Sequence, residues 1–507
     1  MVAFGVFIAA DDLTVVSTML PQMIFDFEIP VPSGLDDAAW IVSAYLIAYL
    51  VTMPFMGRVS DIYGRRFVYV ASMLLFAVGS LAVPLTSSLP PLIAARATQA
   101  LGGGAVVPVA MAVVGDVFPP NRRAFAIGVL GAVDTAGWIW GPMYGALLIR
   151  YGPQVGSWLA GFSPALAPLA RWGWQWQFYI NIPISLLAAL AAWWVLGELK
   201  PSEKYRSLDW LGAILLSVAL IAINIGLSKG GGQAAVAPTF DFAQAESSNL
   251  RRMLPWLAGG LAALATFGLI ERRVAHPIID LSMFGRRNFA LACLINLVVG
   301  FVLIIAMVDV PLFVNSVLAQ GGSLDELLRN AAMESGRILT ALTAAMAIAS
   351  LMGGWLCGRF GYRLPSVIGL LMTAIAFALM STWSVDESRG RMASHLALAG
   401  FGFGLVTSPI GTATIDTVAA ELRGVASGLV LILRLMGMSV GLSALTAWGL
   451  HRFGVLSAPY SVVELGGVIA GITAQVLGET FLAAAVVIIP GIILAMNLRP
   501  ADVRSQP

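Results

Sequence analysis

The chain has 507 residues, of which 59% are apolar and only 11% charged, with a net charge of +2 and a mean hydropathy of +0.87. An ordinary soluble protein carries about 25% charged residues. There is too little polar surface here to wrap a core of this size, and a soluble globule, a disordered chain and a nucleic-acid binder are all excluded. Cys293 and Cys357 lie inside apolar runs, and His276, His395 and His451 stand far apart. Neither a disulfide framework nor a metal cluster is implied, and no metal ligand is assigned.

A membrane helix needs about 20 apolar residues, and the chain divides into fourteen such runs. They cover residues 2–28, 38–56, 67–86, 89–115, 124–149, 174–197, 209–228, 253–270, 288–316, 336–357, 364–384, 393–415, 424–450 and 475–497. The fold predicted is an all-α polytopic membrane protein. The first run starts almost at Met1 without a basic leader, which predicts a retained helix. The loop that follows, from Asp26 to Asp37, has four acids and no base. With the N-terminus in the cytoplasm, seventeen Lys and Arg fall in inner loops against ten outside, which predicts that both termini are cytoplasmic.

The loop after the second run reads Gly57-Arg-Val-Ser-Asp61-Ile-Tyr-Gly64-Arg65-Arg66, and the loop after the tenth reads Gly354-Trp-Leu-Cys-Gly358-Arg-Phe-Gly361-Tyr-Arg363. Glycines recur at offsets 0 and 7 and a basic residue at offset 9. This internal repeat predicts two six-helix bundles, residues 1–200 and 281–507, with an inserted helix pair at 201–280.

Four charges are predicted at membrane depth, where each costs several kcal/mol unless paired or wetted. Asp12 lies about 15 Å into the first helix, Asp134 about 17 Å into the fifth and Arg434 about 16 Å into the thirteenth. Arg96 lies about 10 Å into the fourth. These groups are read as proton-coupling residues, with plain structural ion pairs as the alternative. Neutralising either acid is expected to stop coupling and to spare folding. Asp11, about 100° round the helix from Asp12, reads equally as a partly wet acid or as a sharer of that function. Asp309 and Glu479 near helix ends are expected to snorkel to the surface, with a part in the transport pathway as the alternative.

On the fifth helix, Gly137, Gly141, Pro142 and Gly145 allow close helix approach beside Asp134 and suggest a hinge or seal. In the loop Gly57–Arg66, a tight turn accounts for Gly64, Arg65 and Arg66, whereas Asp61 suggests a gate closed by an ion pair. Segment 151–173 is apolar for a loop, and the thirteenth helix is predicted to run past the membrane into an apolar outer segment ending at Ala474. No nucleotide-binding, nucleophile or metal motif is found, so no cofactor and no catalytic residue is assigned. Uphill transport would then draw on an ion gradient.

These residues resemble the major facilitator superfamily, in its fourteen-helix drug:proton antiporter family. Asp12-Leu-Thr-Val-Val-Ser-Thr-Met-Leu-Pro21 is similar to the helix 1 pattern D-x-T-I-V-N-V-A-L-P, and Gly57–Arg66 to the loop signature G-x-x-x-D-x-x-G-R-R/K. Arg96–Gly102 resembles R-x-x-Q-G-x-G, Gly137–Gly145 resembles G-x-x-x-G-P-x-x-G, and Trp174–Pro183 resembles W-R-W-I-F-x-I-N-V-P. Pro277–Phe284 looks like P-L-I-D-L-x-L-F. Segments around Asp309, Arg434, Trp448 and Glu479 look closest to the mycobacterial triacylglyceride-exporting branch. That branch has an acid one position after Asp134, where this chain has Thr135. The resemblance implies an exporter in the cytoplasmic membrane, driven by protons through alternating access. Its expected cargo is a lipid or glycolipid handed to an outer lipid carrier, or alternatively a small amphiphilic toxic compound.

Overall fold

The computed structural model describes residues 2–29, 35–163, 169, 172–196, 209–227, 250–275, 277–314, 324–460 and 462–499. Among these there is no strand. Helices α1 (Val2–Asp26), α2 (Leu35–Tyr63), α3 (Arg65–Ala82), α4 (Leu89–Val117), α5 (Pro120–Ala160) and α6 (Gln175–Val195) come first, then α7 (Trp210–Leu227) and α8 (Leu250–Glu271). The chain ends with α9 (Arg287–Phe313), α10 (Leu324–Phe360), α11 (Arg363–Met380), α12 (Arg389–Thr417), α13 (Arg423–Ser457) and α14 (Val462–Met496).

Thirteen helices are long and apolar enough to cross a membrane. The fourteenth span is α1, whose parts Val2–Val16 and Thr18–Asp26 meet at 46°. Pro21 lacks the N–H that the Ser17 carbonyl would otherwise accept from, which accounts for a bend at that point. This is a multi-pass membrane protein.

Several helices outrun their apolar runs. α5 continues to Ala160, so the first part of segment 151–173 is helix rather than loop, and residues 164–168, 170 and 171 lie outside the described residues. α10 begins at Leu324 and α14 at Val462, each about a dozen residues earlier than hydropathy predicts. Polar turns such as Leu324–Glu334 dilute the average without breaking helical hydrogen bonding.

The chain forms two compact units, residues 1–113 with 133–207, and residues 114–132 with 208–507. In the first, α3 packs on α6, and α1 on α2 and α6. The most apolar stretch of α4 is 83% buried, and a helix apolar all round belongs inside. In the second, α12 holds the corresponding place, 78% buried and flanked by α9, α10 and α11. α13 crosses α9, and α7 pairs with α8 and touches α13. Only 11% of α8 is buried. Asn224 on α7 donates to the Ser439 hydroxyl at 3.2 Å, which in part ties this pair to α13.

The sequence repeat has a backbone counterpart. Gly64, between α2 and α3, has φ 94°, and Gly361, between α10 and α11, has φ 73°; they are the only described glycines with positive φ. A side chain is strained in that region, which explains why both loops keep glycine at offset 7.

Candidate functional site

α1 carries two acids in mid-helix, and the first unit is built around them. Asp12 is fully buried. Its Oδ2 accepts from Arg96 Nη1 of α4 at 2.6 Å, and its Oδ1 accepts from Gln99 Nε2 at 2.9 Å and Asn181 Nδ2 of α6 at 3.0 Å. Arg96 also donates to Gln99 Oε1 at 2.5 Å, and Gln99 donates to Ser80 of α3 at 2.9 Å. The guanidinium lies 4.1 Å from the ring centre of Tyr45 on α2 and 5.6 Å from that of Phe178. Five helices thus converge on one ion pair from which water is excluded. Charge-assisted hydrogen bonds in such a setting are short and strong.

Asp11 points elsewhere and is also buried, 4% exposed. It accepts from Gln177 Nε2 at 2.9 Å, one helical turn from Asn181. It is therefore not the wet acid that its neighbourhood in sequence allows.

The glycines of α5 lie against α1 at these acids. A Cβ on Gly137 would lie 2.5 Å from the Phe7 carbonyl and 3.0 Å from Asp11 N. On Gly141 it would lie 2.8 Å from the Asp11 carbonyl, and on Gly145 3.0 Å from Val15. Only small residues let α5 lie this close to α1. Pro142 stands within the same stretch of α5, and Asp134, half-buried, lies one turn before Gly137.

Of the other residues marked by the sequence, Asp61 is buried and ion-paired with Arg65 four residues on, and Arg65 also donates to Ser60 at 2.6 Å. Ser60 in turn donates to the Gly57 carbonyl at 2.8 Å, and Arg66 lies 3.8 Å over the Trp193 ring. In the second unit Arg434 is buried on α13, where Gly300 of α9 meets it: a Cβ there would sit 1.9 Å from the Arg434 carbonyl.

Asp309 does not snorkel. It is buried and accepts from Thr480 Oγ1 of α14 at 2.5 Å, because α9 lies between neighbours at that depth. Glu479 stays near the surface but is gripped by Arg452 in a two-point pair at 2.6 and 2.5 Å. Asp12 and Arg96 are thus brought into direct contact. Asp134 lies in their unit, and Arg434 in the other.

Sequence reading missed a second charged constellation. Asp116 precedes Arg123 by seven residues, and Asp416 precedes Arg423 by seven, exactly 300 positions later in both cases. Within the second unit the pairs cross over. Arg123 bonds Asp416, whose other oxygen accepts from Tyr362 at 2.7 Å. Arg423 bonds Asp116 at 2.8 Å and the Gly115 carbonyl at 2.8 Å. The signal was a repeat of acid and base at fixed spacing, which a search for glycines overlooks. Arg123→Gln and Asp416→Asn are each expected to lower thermal stability, and the double variant to be less harmful than their sum. A coupling energy of about 1–3 kcal/mol in a double-mutant cycle of melting curves would confirm it, and strict additivity would refute it.

With this geometry in place, known proteins supply the context. The family model for the Major Facilitator Superfamily matches residues 2–442. The chain belongs to the Major Facilitator Superfamily. It is 31% identical to a triacylglyceride transporter of Mycolicibacterium smegmatis, over 97% of this chain and 86% of that protein. It is 30% identical to a probable triacylglyceride transporter of Mycobacterium leprae, over 90% of this chain and 85% of that one. Among solved structures, the human organic anion transporter MFSD10 matches with a TM-score of 0.63 at 14% identity, covering 97% of each chain. The proton:xylose symporter XylE matches with a TM-score of 0.55 at 14% identity, covering 96% and 93%. These last two show the superfamily fold alone. As a member of this superfamily the protein is a membrane transporter rather than an enzyme.

Proposed function

We propose that this transporter moves a lipid, a triacylglyceride or glycolipid, out of the cytoplasmic membrane in exchange for protons, with both termini cytoplasmic. The observation that carries the reading is the 31% identity to a triacylglyceride transporter over 97% of the chain. Asp12 with Arg96, together with Asp134 and Arg434, form the coupling machinery, since buried charges on several helices change partners when helices move. The bundles 1–200 and 281–507 alternate access around that machinery, with 201–280 as an insert. The loop Gly57–Arg66 acts as a gate in which Asp61, now held by Arg65, is exchanged between partners. Asp309 and Glu479 line the later part of the pathway, and an outer lipid carrier receives the cargo.

The test is transport by purified protein in vesicles under an imposed pH gradient, with a labelled triacylglyceride and an amphiphilic cationic dye as parallel cargoes. Gradient-dependent lipid transfer that a protonophore abolishes is the expected result. Dye efflux without lipid transfer would move the assignment to a multidrug:proton antiporter.

A further inference from the structure

Two acids stand side by side on α1, and the protein treats them differently. Asp12 has its guanidinium and two amide donors, and Arg96 is committed to it. Asp11 has one donor, Gln177 Nε2, on Oδ2. Among the described residues its Oδ1 has no hydrogen-bond partner, and neither has Gln177 Oε1. Both side chains are buried, Asp11 at 4% and Gln177 at 0% exposure. Two acceptors left bare in such a place are costly, and nearly all buried polar atoms find a partner.

Both atoms lack the same thing, a donor, and a single hydrogen supplies it. A protonated carboxyl has one O–H donor. Placed on Oδ1, the proton lets the acid donate to Gln177 Oε1 while the amide N–H goes on donating to Oδ2. This is the two-point pair of a carboxylic acid with a primary amide.

We propose that Asp11, paired with Gln177, is the group that carries the proton, while Asp12 is taken up by Arg96. The inference rests on the exporter reading above and names the acid within it. The proton comes from water on one side and returns to water on the other, and no other atom or electron is transferred.

The surroundings agree. Of the charged and titratable groups around Asp11, Asp12 on α1 is its neighbour and Tyr144 on α5 faces it; Tyr45 on α2 and Arg96 on α4 stand at Asp12, Asp134 lies one turn before Gly137 on α5, and α6 presents the amides Gln177 and Asn181. Arg96 balances Asp12, which leaves a charge on Asp11 uncompensated in a water-poor core. Gln177 also reaches Asn181 Oδ1 at 3.5 Å, and Asn181 bonds Asp12, so two amides one turn apart connect the acids. The seal is α5, whose Gly137 and Gly141 lie on the backbone of Asp11 itself. A shift of α5 along α1 would open Asp11 to water.

The test is a cargo-free infrared titration of the full-length protein in lipid vesicles, reading the C=O stretch of neutral carboxylic acids at neutral pH. The difference spectrum between wild type and Asp11→Asn is expected to contain one such band. Gln177→Met keeps the acid and removes both amide groups, so the band should persist at higher frequency, its C=O having lost the N–H bonded to it. No band in the Asp11→Asn difference, or no frequency shift in Gln177→Met, overturns the assignment; the second decides alone if Asp11→Asn does not assemble. Gradient-driven transport measured in the same vesicles separates the two readings. An Asp11 band without proton-driven transport refutes the exporter reading alone, and proton-driven transport without the band refutes this assignment alone.

Discussion

Asp12→Asn is expected to abolish pH-gradient-driven transport and to cost about 3–5 kcal/mol of stability, the cost of removing one partner from a buried ion pair. Sequence alone suggests the opposite sign for stability, because neutralising a lone buried acid relieves its desolvation. The pairing reverses that sign. Arg96 is 1% exposed and cannot lose its proton, so without Asp12 it becomes an uncompensated charge held by Gln99 Oε1, the weak Asp12 carbonyl contact at 3.5 Å and two aromatic faces. Replacing both partners, Asp12→Leu with Arg96→Met, should recover most of the stability and none of the transport. Tryptophan-monitored melting in detergent reads the first quantity and vesicle transport the second. A single variant as stable as wild type would show that the pair is wetter than its burial indicates.

The fourteen helices and the most telling charges were legible because hydropathy reports what burial in lipid requires. A run of 20 apolar residues has few alternatives, and an arginine such as Arg96 inside one stands out. The ends were not legible. α10 begins with turns whose acids lower the average, although a polar helix turn outside the hydrocarbon keeps its hydrogen bonds as well as an apolar one, and the first turns of α14 read as an apolar outer segment because glycines punctuate them. The site was legible in its charges and not in its amides. Gln99, Gln177 and Asn181 are neutral, common and silent in any charge search, yet they decide which oxygen of which acid is satisfied. The crossed pairs Asp116–Arg423 and Asp416–Arg123 were written in the sequence at a fixed spacing. Their exchange of partners was not, since it depends on how α5 and α12 meet.

Trimming apolar surface from the last turns of α13 and the turn that follows it is expected to reduce lipid export more than tenfold and to leave dye efflux within about twofold of wild type. Each of these helices has 35 residues, about 52 Å of helix against a hydrocarbon core of about 30 Å. Residues 454–457 and 462–472 are therefore helix rather than loop, and they pack together. Phe453, Ile472 and Val476 form the core of this packing with Leu456, Val468 and Ile469, and the Arg452–Glu479 pair clamps it one turn away. Replacing 454–472 with a flexible linker would destroy that core and impair any cargo, so the informative change is on the outside. Trp448, Val455 and Tyr460 are 47%, 49% and 44% exposed. Changing them to Gln, Thr and Ser leaves the core and both Arg452–Glu479 hydrogen bonds, and takes from Arg452 only the Trp448 ring 5.9 Å away. A compact amphiphile released to water has no need of these groups. A lipid tail does, because each methylene left uncovered costs about 0.8 kcal/mol. Two methylenes exposed in the release step raise its barrier by roughly 1.6 kcal/mol, about a fifteenfold slowing. Parallel vesicle assays of the triple variant with both cargoes make the measurement, and melting curves confirm the packing is intact. Equal loss of both activities, or undiminished lipid export, would show that this packing supports the fold and takes no part in the route of the lipid.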